Sequence, residues 1–275
     1  LRYTLLAGIC LAIAGCARLG TQVQPIALPE GAPSVEAILE SLAENEAAIR
    51  GFAATGKVVV QLPELEAGHV LGGSAITYRS PSDLHVVGRK YGKVVARLTC
   101  AQGAFLLELP RKRQYCYRPE GERFATVSSV EVLRETFRPE QWQTLSRRRV
   151  LVTAYDEEAQ TAELHVLSGG LRRRPLRRLL VQGAPWAVLQ SELLDANGAV
   201  LALTTKSDYY EKDGIRFPKR ISSSFPGEAA QMTFTIRTIE LNPELDDTVF
   251  HLGQRIEWLR ANGYEQVSYR PWEER

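Results

Sequence analysis

The chain is poor in the residue types that most often carry chemistry or cross-links. Four histidines, His69, His85, His165 and His251, and four cysteines, Cys10, Cys16, Cys100 and Cys116, are scattered over 275 residues. No histidine has a cysteine or carboxylate at ligand spacing beside it, so no metal site is readable and no cofactor is expected. A nucleophile-elbow pattern is missing, as is a glycine loop ahead of a helix that could cradle phosphate. An enzyme is therefore not expected. Excess charge of one sign is missing too: 34 basic against 32 acidic residues give a formal net charge of +2, which leaves no global electrostatic argument for a nucleic-acid partner. Any charge effect must be local. Apolar runs of any length are also missing, with one exception near the N-terminus.

That exception, "LLAGICLAIAGCARLG" at residues 5–20, stops at Gly15-Cys16. Its apolar block covers about a dozen residues, short of the roughly 20 that a membrane-crossing helix needs. Arg2 in front, an apolar core, and Ala14 and Gly15 just before Cys16 have the layout of a secretory signal. The alternative is a short buried helix whose cysteine happens to follow glycine. Ile13-Ala14-Gly15-Cys16 resembles the lipobox of bacterial lipoproteins, which implies cleavage before Cys16 and acylation of its thiol. Each buried methylene contributes about 0.8 kcal/mol, so two or three acyl chains make a durable anchor. Residues 1–15 are thus read as signal, and residues 16–33, with Pro25, Pro29, Gly31 and Pro33, as lipidated cysteine and tether. In an oxidising compartment Cys100 and Cys116 could pair. In the meander below, however, their strands flank a common neighbour, which is too far for the usual Cα separation.

From Ser34, Val35, Ile38, Leu39, Leu42 and Ile49 share one helical face with glutamates elsewhere, giving an amphipathic helix with a serine cap and a stop at Gly51. At Phe52 the period changes to two, and strand-like runs recur at 72–80, 83–89, 93–100, 103–109 and 114–118. Arg79-Ser80-Pro81, Tyr91-Gly92, Gln102-Gly103 and Pro110-Arg111 are turn signals between them. Ser128 and Glu131 form a capping-box pattern that predicts a second helix up to Pro139, with a turn around Trp142. Strands resume at 149–155, 161–167, 177–182, 186–194, 199–209, 215–224 and 230–240, with hairpin turns at Asp195-Ala196-Asn197-Gly198 and Lys212-Asp213-Gly214. The fold expected is α+β, mostly β: one curved antiparallel half-barrel sheet with the two helices covering its concave face. One apolar strand face collects Phe52, Val58, Val60, Ile76, Tyr78, Leu84, Val86, Leu98, Phe105, Leu107, Met232, Phe234 and Ile236. Such a set either fills a core or lines a cavity, and the sequence does not separate the two.

The helix, then Phe52-x-x-x-Gly56, "GSAITYRSPSDLHVVG" (73–88) and "CAQGAFLLELPRKRQYCY" (100–117), resembles the superfamily of LolA, the periplasmic lipoprotein carrier, and LolB, the outer-membrane lipoprotein receptor. "DYYEKDGIRFPKRISSSFP" (208–226) and "RTIELNPELDDTVFHL" (237–252) are similar to its closing strands and terminal turn. The resemblance covers residues 34–252 and leaves 253–275 as a C-terminal extension. It implies a half-open barrel whose apolar cavity holds acyl chains of lipoproteins or lipids, with no catalytic step. By the same resemblance Arg79, one residue further from Pro81 than in the carrier because of Ser80, takes the place, at the cavity mouth, of an arginine that helps the carrier's lid to shut; the alternative is a solvent-facing strand arginine before a turn. Tyr91 is the nearest counterpart, by loop order, of the receptor's exposed hydrophobic loop residue. Asp246-Asp247 falls in the terminal turn, where capping is the expected role.

The run "LRRRPLRRLL" (171–180) places Arg172, Arg173, Arg174, Arg177 and Arg178 around Pro175. Five arginines cannot be buried unpaired, so a loop or strand edge is expected. Such a run is either simply solvated or a contact for anionic lipid headgroups. Together these readings point to a lipid-anchored envelope protein, at the outer membrane and facing the periplasm, that receives or carries acyl chains. The rival is an envelope lipoprotein with the same fold that senses or binds a protein partner.

Overall fold

The computed structural model describes residues 23–61, 69–120, 142, 149–169, 173–228 and 230–268. The N-terminal run with Cys16, and the predicted helix after Ser128, lie outside them. Helix α1, Val35–Ala48, begins where Ser34 Oγ accepts from Ala37 N at 3.1 Å. The first meander follows as β1 (Gly51–Gln61), β2 (His69–Arg79), β3 (Asp83–Lys90), β4 (Lys93–Ala101), β5 (Ala104–Leu109) and β6 (Gln114–Arg118). The second holds β7 (Val150–Asp156), β8 (Thr161–Leu167), β9 (Pro175–Gln182), β10 (Ala187–Leu194), β11 (Val200–Lys212), β12 (Ile215–Phe225) and β13 (Ala230–Leu241). Helix α2, Leu252–Ala261, and a two-residue strand β14, Glu265–Gln266, close the chain.

The fourteen strands among the described residues form one curved, unclosed sheet in the order β14-β6-β5-β4-β3-β2-β1-β13-β12-β11-β10-β9-β8-β7. Every pairing is antiparallel except β14 on β6. The two meanders meet along a single seam, β1 with β13, where Val58 faces Phe234. Tyr91-Gly92, Gln102-Gly103 and Asp213-Gly214 each place two consecutive residues at positive φ, between 50° and 80°. That is the backbone of two-residue hairpin turns whose twist matches the strands, which is why glycine takes the second place. Asn242, also at positive φ, ties the end of the seam to the end of α1. Its Oδ1 accepts from Arg50 N at 2.7 Å, and its Nδ2 donates to Ala48 O at 2.8 Å.

Side chains alternate across a strand, so cross-strand partners trace each face. On one face lie Phe52, Ile76, Leu84, Leu98, Phe105 and Phe234, and further along it Leu164, Leu179 and Val181. Helix α1 lies on this face over β7–β10, burying Ile38, Leu39 and Leu42 beside Trp142, whose N–H donates to Glu46 at 2.7 Å. Each of those three side chains contributes about 1.5–3 kcal/mol by leaving water. Helix α2 is not the second helix expected after Ser128 but one formed in the stretch read as an extension, and it lies on the other face of the sheet. It packs Ile256 and Leu259 against Leu106 and Tyr115, the alternate residues of β5 and β6 that point to the convex side. The stretch expected as an extension after residue 252 is thus continuous with the packed structure through α2 and β14.

Candidate functional site

Every apolar residue singled out on the strands lies on the concave face, in one cluster. Phe52, Val58, Ile76, Tyr78, Leu84, Leu98, Phe105, Met232, Phe234 and Ile236 are buried there, while Val60, Val86 and Leu107 are half-buried against them, with Leu71 alongside. Phe52 is held by Tyr78, stacked at 5.4 Å between ring centroids, and by Phe217, edge-on at 4.7 Å. A second apolar cluster lies under α1, around Leu164, Val181 and Trp186. Between the two, on the same face, runs a polar strip that sequence reasoning did not single out: Ser191, Thr204, Lys206 and Ser223 on adjacent strands. Thr204 and Ser223 are buried and share a hydroxyl hydrogen bond of 3.0 Å. Cys100 and Cys116 also face inward and are not disulfide-bonded, since β5 separates their strands.

Arg79 is not at the mouth of this face, as the resemblance implied. It is an odd-numbered neighbour of Tyr78 on β2 and so points to the convex side. Its Nε donates to Asp83 Oδ2 at 3.1 Å, its Nη1 reaches Asp247, and its guanidinium lies 4.5 Å from the Phe250 ring centroid. The hydrogen bond with Asp83 raises its pKa further above the ordinary arginine value. The side chain brackets the terminal turn to the sheet: Asp83 also accepts from Gln102 N at 3.2 Å, and Asp246 caps the turn through Thr248 N at 3.0 Å. The role expected for Asp246 and Asp247 is met by Asp246, while Asp247 serves Arg79.

The arginine run is likewise divided. Arg172 lies outside the described residues, and Arg173 and Arg174 are exposed on the turn before β9. Arg177 and Arg178, expected on a loop or edge, belong to β9, an interior strand between β8 and β10. Arg178 is satisfied there because Glu192 stands opposite on β10, accepting from its Nε at 2.8 Å on the convex face. Arg177, one residue earlier, is on the concave side in register with Val166. Tyr91, at the tip of the β3–β4 turn, is 89 % exposed.

Beneath α2 the convex side holds a charged group of its own. The Glu108 side chain, 2 % exposed, accepts from Arg255 at 2.8 and 2.6 Å and from Arg97 at 3.3 Å. Pairing with Glu108 raises the pKa of Arg255. His85 lies on the same side, bonded to Thr99 Oγ1 at 2.8 Å, and burial lowers its pKa to about 4. Among the described residues no three His, Cys, Asp or Glu side chains are grouped as a metal ion needs. None of the described helices is long and apolar enough to cross a membrane.

A curved, unclosed antiparallel sheet with a helix across an apolar inner face defines the class of open half-barrels, and the chain has the LolA-like fold within it. No family model matches the sequence, and neither does any curated protein. Solved structures align with its fold. A putative outer membrane lipoprotein-sorting protein domain from Vibrio parahaemolyticus aligns with a TM-score of 0.54 and 12 % identity, over 80 % of this chain and 99 % of that one. A LolA superfamily protein from Nitrosomonas europaea aligns with a TM-score of 0.52 and 12 % identity, over 80 % and 98 % of the two chains. A DUF1329 family protein from Desulfovibrio piger aligns with a TM-score of 0.54, also at 12 % identity, over 78 % and 96 %. At such identity the likeness is one of fold.

Proposed function

We propose that the chain is a non-catalytic envelope lipoprotein that binds acyl chains of lipoproteins or lipids on its concave face, as receptor or carrier. In this reading Cys16 is the lipid anchor and the domain faces the periplasm from the outer membrane. One observation carries it. The apolar surface does not end where burial ends: Val60, Leu71, Val86 and Leu107 continue it half-exposed on the inner face of an open sheet. Covering such surface with methylene groups is favourable by about 25 cal/mol per Å². At the polar strip the half-buried Ser191, beside the buried Thr204–Ser223 pair, gives the ester or headgroup end of a ligand a place to hydrogen-bond. The sorting role named for the Vibrio structure agrees with this choice of ligand.

Native mass spectrometry of the chain purified without detergent is expected to show bound lipid, and a fluorescent fatty acid is expected to exchange into it. Val86→Glu with Leu107→Glu is expected to weaken that uptake at least tenfold while the thermal melt stays cooperative. A wild-type chain that carries no lipid and takes up no fatty acid overturns the reading. It then favours the rival, a protein-binding lipoprotein, whose natural surface is Trp258 on α2, 46 % exposed and stacked 4.2 Å from the Arg255 guanidinium.

A further inference from the structure

In an antiparallel sheet alternate connections fall at the same end. The end where β1 finishes collects the β3–β4, β5–β6, β8–β9, β10–β11 and β12–β13 turns and the start of β7. Charge is sorted between the two ends. At this one Arg89, Lys90 and Lys93 surround Tyr91, with Lys90 Nζ 5.8 Å from the ring centroid. The neighbouring hairpin, about 10 Å away at two strand spacings, carries Arg111, Lys112 and Arg113, all exposed. Across the sheet Arg149, Arg173 and Arg174, again exposed, occupy the same end. Asp195, Glu228 and Glu265, the last beside Arg113, are the acidic residues described there; the β1–β2 connection, with Glu64 and Glu66, lies outside the described residues. The opposite end carries Asp156, Glu157 and Glu158 at the β7–β8 turn, Glu211 and Asp213 at the β11–β12 turn, and Glu244 after β13, against Arg50, Arg118 and Lys212. Behind the net charge of +2, the described residues put an excess of basic groups at one end of the sheet and an excess of acidic groups at the other.

The N-terminal segment is fixed near the basic end. Ile26 N donates to Val152 O at 3.0 Å, two residues from the start of β7, and Leu28 packs against the cluster under α1. Cys16 precedes Ile26 by ten residues, a reach of at most about 35 Å when fully extended.

We propose that the basic end of the sheet docks on an anionic membrane surface, with the strands standing away from it and the acidic end outermost. Phosphate headgroups suit the surface because Arg111, Arg173 and Arg174 can each grip two phosphate oxygens while Lys90, Lys93 and Lys112 act as point charges. An exposed tyrosine ring with a polar tip suits the headgroup layer. The repulsion of the acidic end sets the orientation. The inference rests on the proposed function only through Cys16, which would hold this end near a bilayer. It does not depend on acyl chains filling the concave face.

The test uses the full chain carrying Cys16→Ser, so that no acyl anchor contributes, and vesicles of phosphatidylcholine with or without 30 % phosphatidylglycerol. Any insertion of the apolar N-terminal run gives a background insensitive to salt, so the quantity read is the salt-sensitive excess on anionic vesicles. That excess is expected to be at least tenfold at 50 mM salt, to shrink at 300 mM as screening shortens, and to disappear when Lys90, Lys93, Arg111 and Lys112 are all changed to Gln. Glu157→Gln with Glu158→Gln, at the other end, is expected to leave it unchanged. Equal binding to both vesicle types, full binding by the four-site variant, or equal capture by short duplex DNA competing at the same charge concentration overturns the proposal. Lipid content measured on the same preparation reports on the concave face separately, so either idea can fail without the other.

Discussion

His85 sits under α2 with its ring on Thr99 and two arginines, Arg97 and Arg255, held near it by the buried Glu108. Desolvation outweighs the attraction of Glu108 and lowers its pKa from 6.5 to about 4. Between those two values the unfolded chain binds a proton there that the folded chain does not. Stability contributed by this site is therefore present at neutral pH and is lost as pH falls through the window, about 3 kcal/mol in all. His85→Gln is expected to remove that part of the acid sensitivity, read as the change in melting temperature between pH 7.5 and pH 4.5 for variant and wild type. Identical acid sensitivity would mean that His85 is not the group responsible. Single residues were also where the sequence was hardest to read. The inward apolar set follows from strand period, because a period of two is a property of any strand. Arg79 and Arg178 were misjudged because their environment is set by partners such as Asp247 and Glu192, which only the assembled sheet brings opposite them.

At the scale of elements, Gly56 shows why the seam between meanders has the composition it has. It stands where the register shifts on both sides of β1, against β13 and against β2. A Cβ there would lie 2.2 Å from the carbonyl oxygen of Thr235. Gly56→Ala must push the two central strands apart and is expected to cost about 1–3 kcal/mol in denaturant titration. Gly72→Ala, on β2 with nothing within 4 Å of the added methyl, is the control and is expected to change stability by about 0.5 kcal/mol or less. The strands, their turns and α1 were legible because alternation, glycine turns and a serine cap are local signals. The bulge at Gly56 and the tie through Asn242 were not, since both answer to strands far away in sequence. Helix α2 also escaped, since Leu252–Ala261 fell in the stretch read as an extension, and its periodicity alone would not have told which face it takes. A short helix with Ile256 and Leu259 inward looks the same on either side of a sheet.

For the whole molecule, topology was readable as a succession of hairpins, whereas the basic end was not, because Lys90, Lys112 and Arg173 are far apart until alternate turns are gathered at one edge. The convex side is a working part of the structure. Removing residues from Leu252 onward uncovers Leu106 and Tyr115 and leaves Glu108 without Arg255. The loss of one partner of a buried charge costs about 3–5 kcal/mol by itself. The shortened chain is expected to melt at least 10 °C lower or to aggregate, judged by calorimetry and light scattering; an unchanged melt would show that α2 merely rests on the sheet.

The seam has a consequence for the order of events as the chain is made. Among the described strands β1 is made first and β13, its partner, almost last, so Val58 to Val60 spend the interval as an unclaimed edge. An apolar, β-branched edge in that state invites pairing with another copy of itself. Each meander can close its own hairpins early, yet neither can settle that edge alone, and non-local pairing of this kind is slow. If the chain is exported as proposed, unfolded and released whole, its first and last strands come into the same space together. Delivery of this sort lets the protein begin folding only when the piece that silences its riskiest edge is already present.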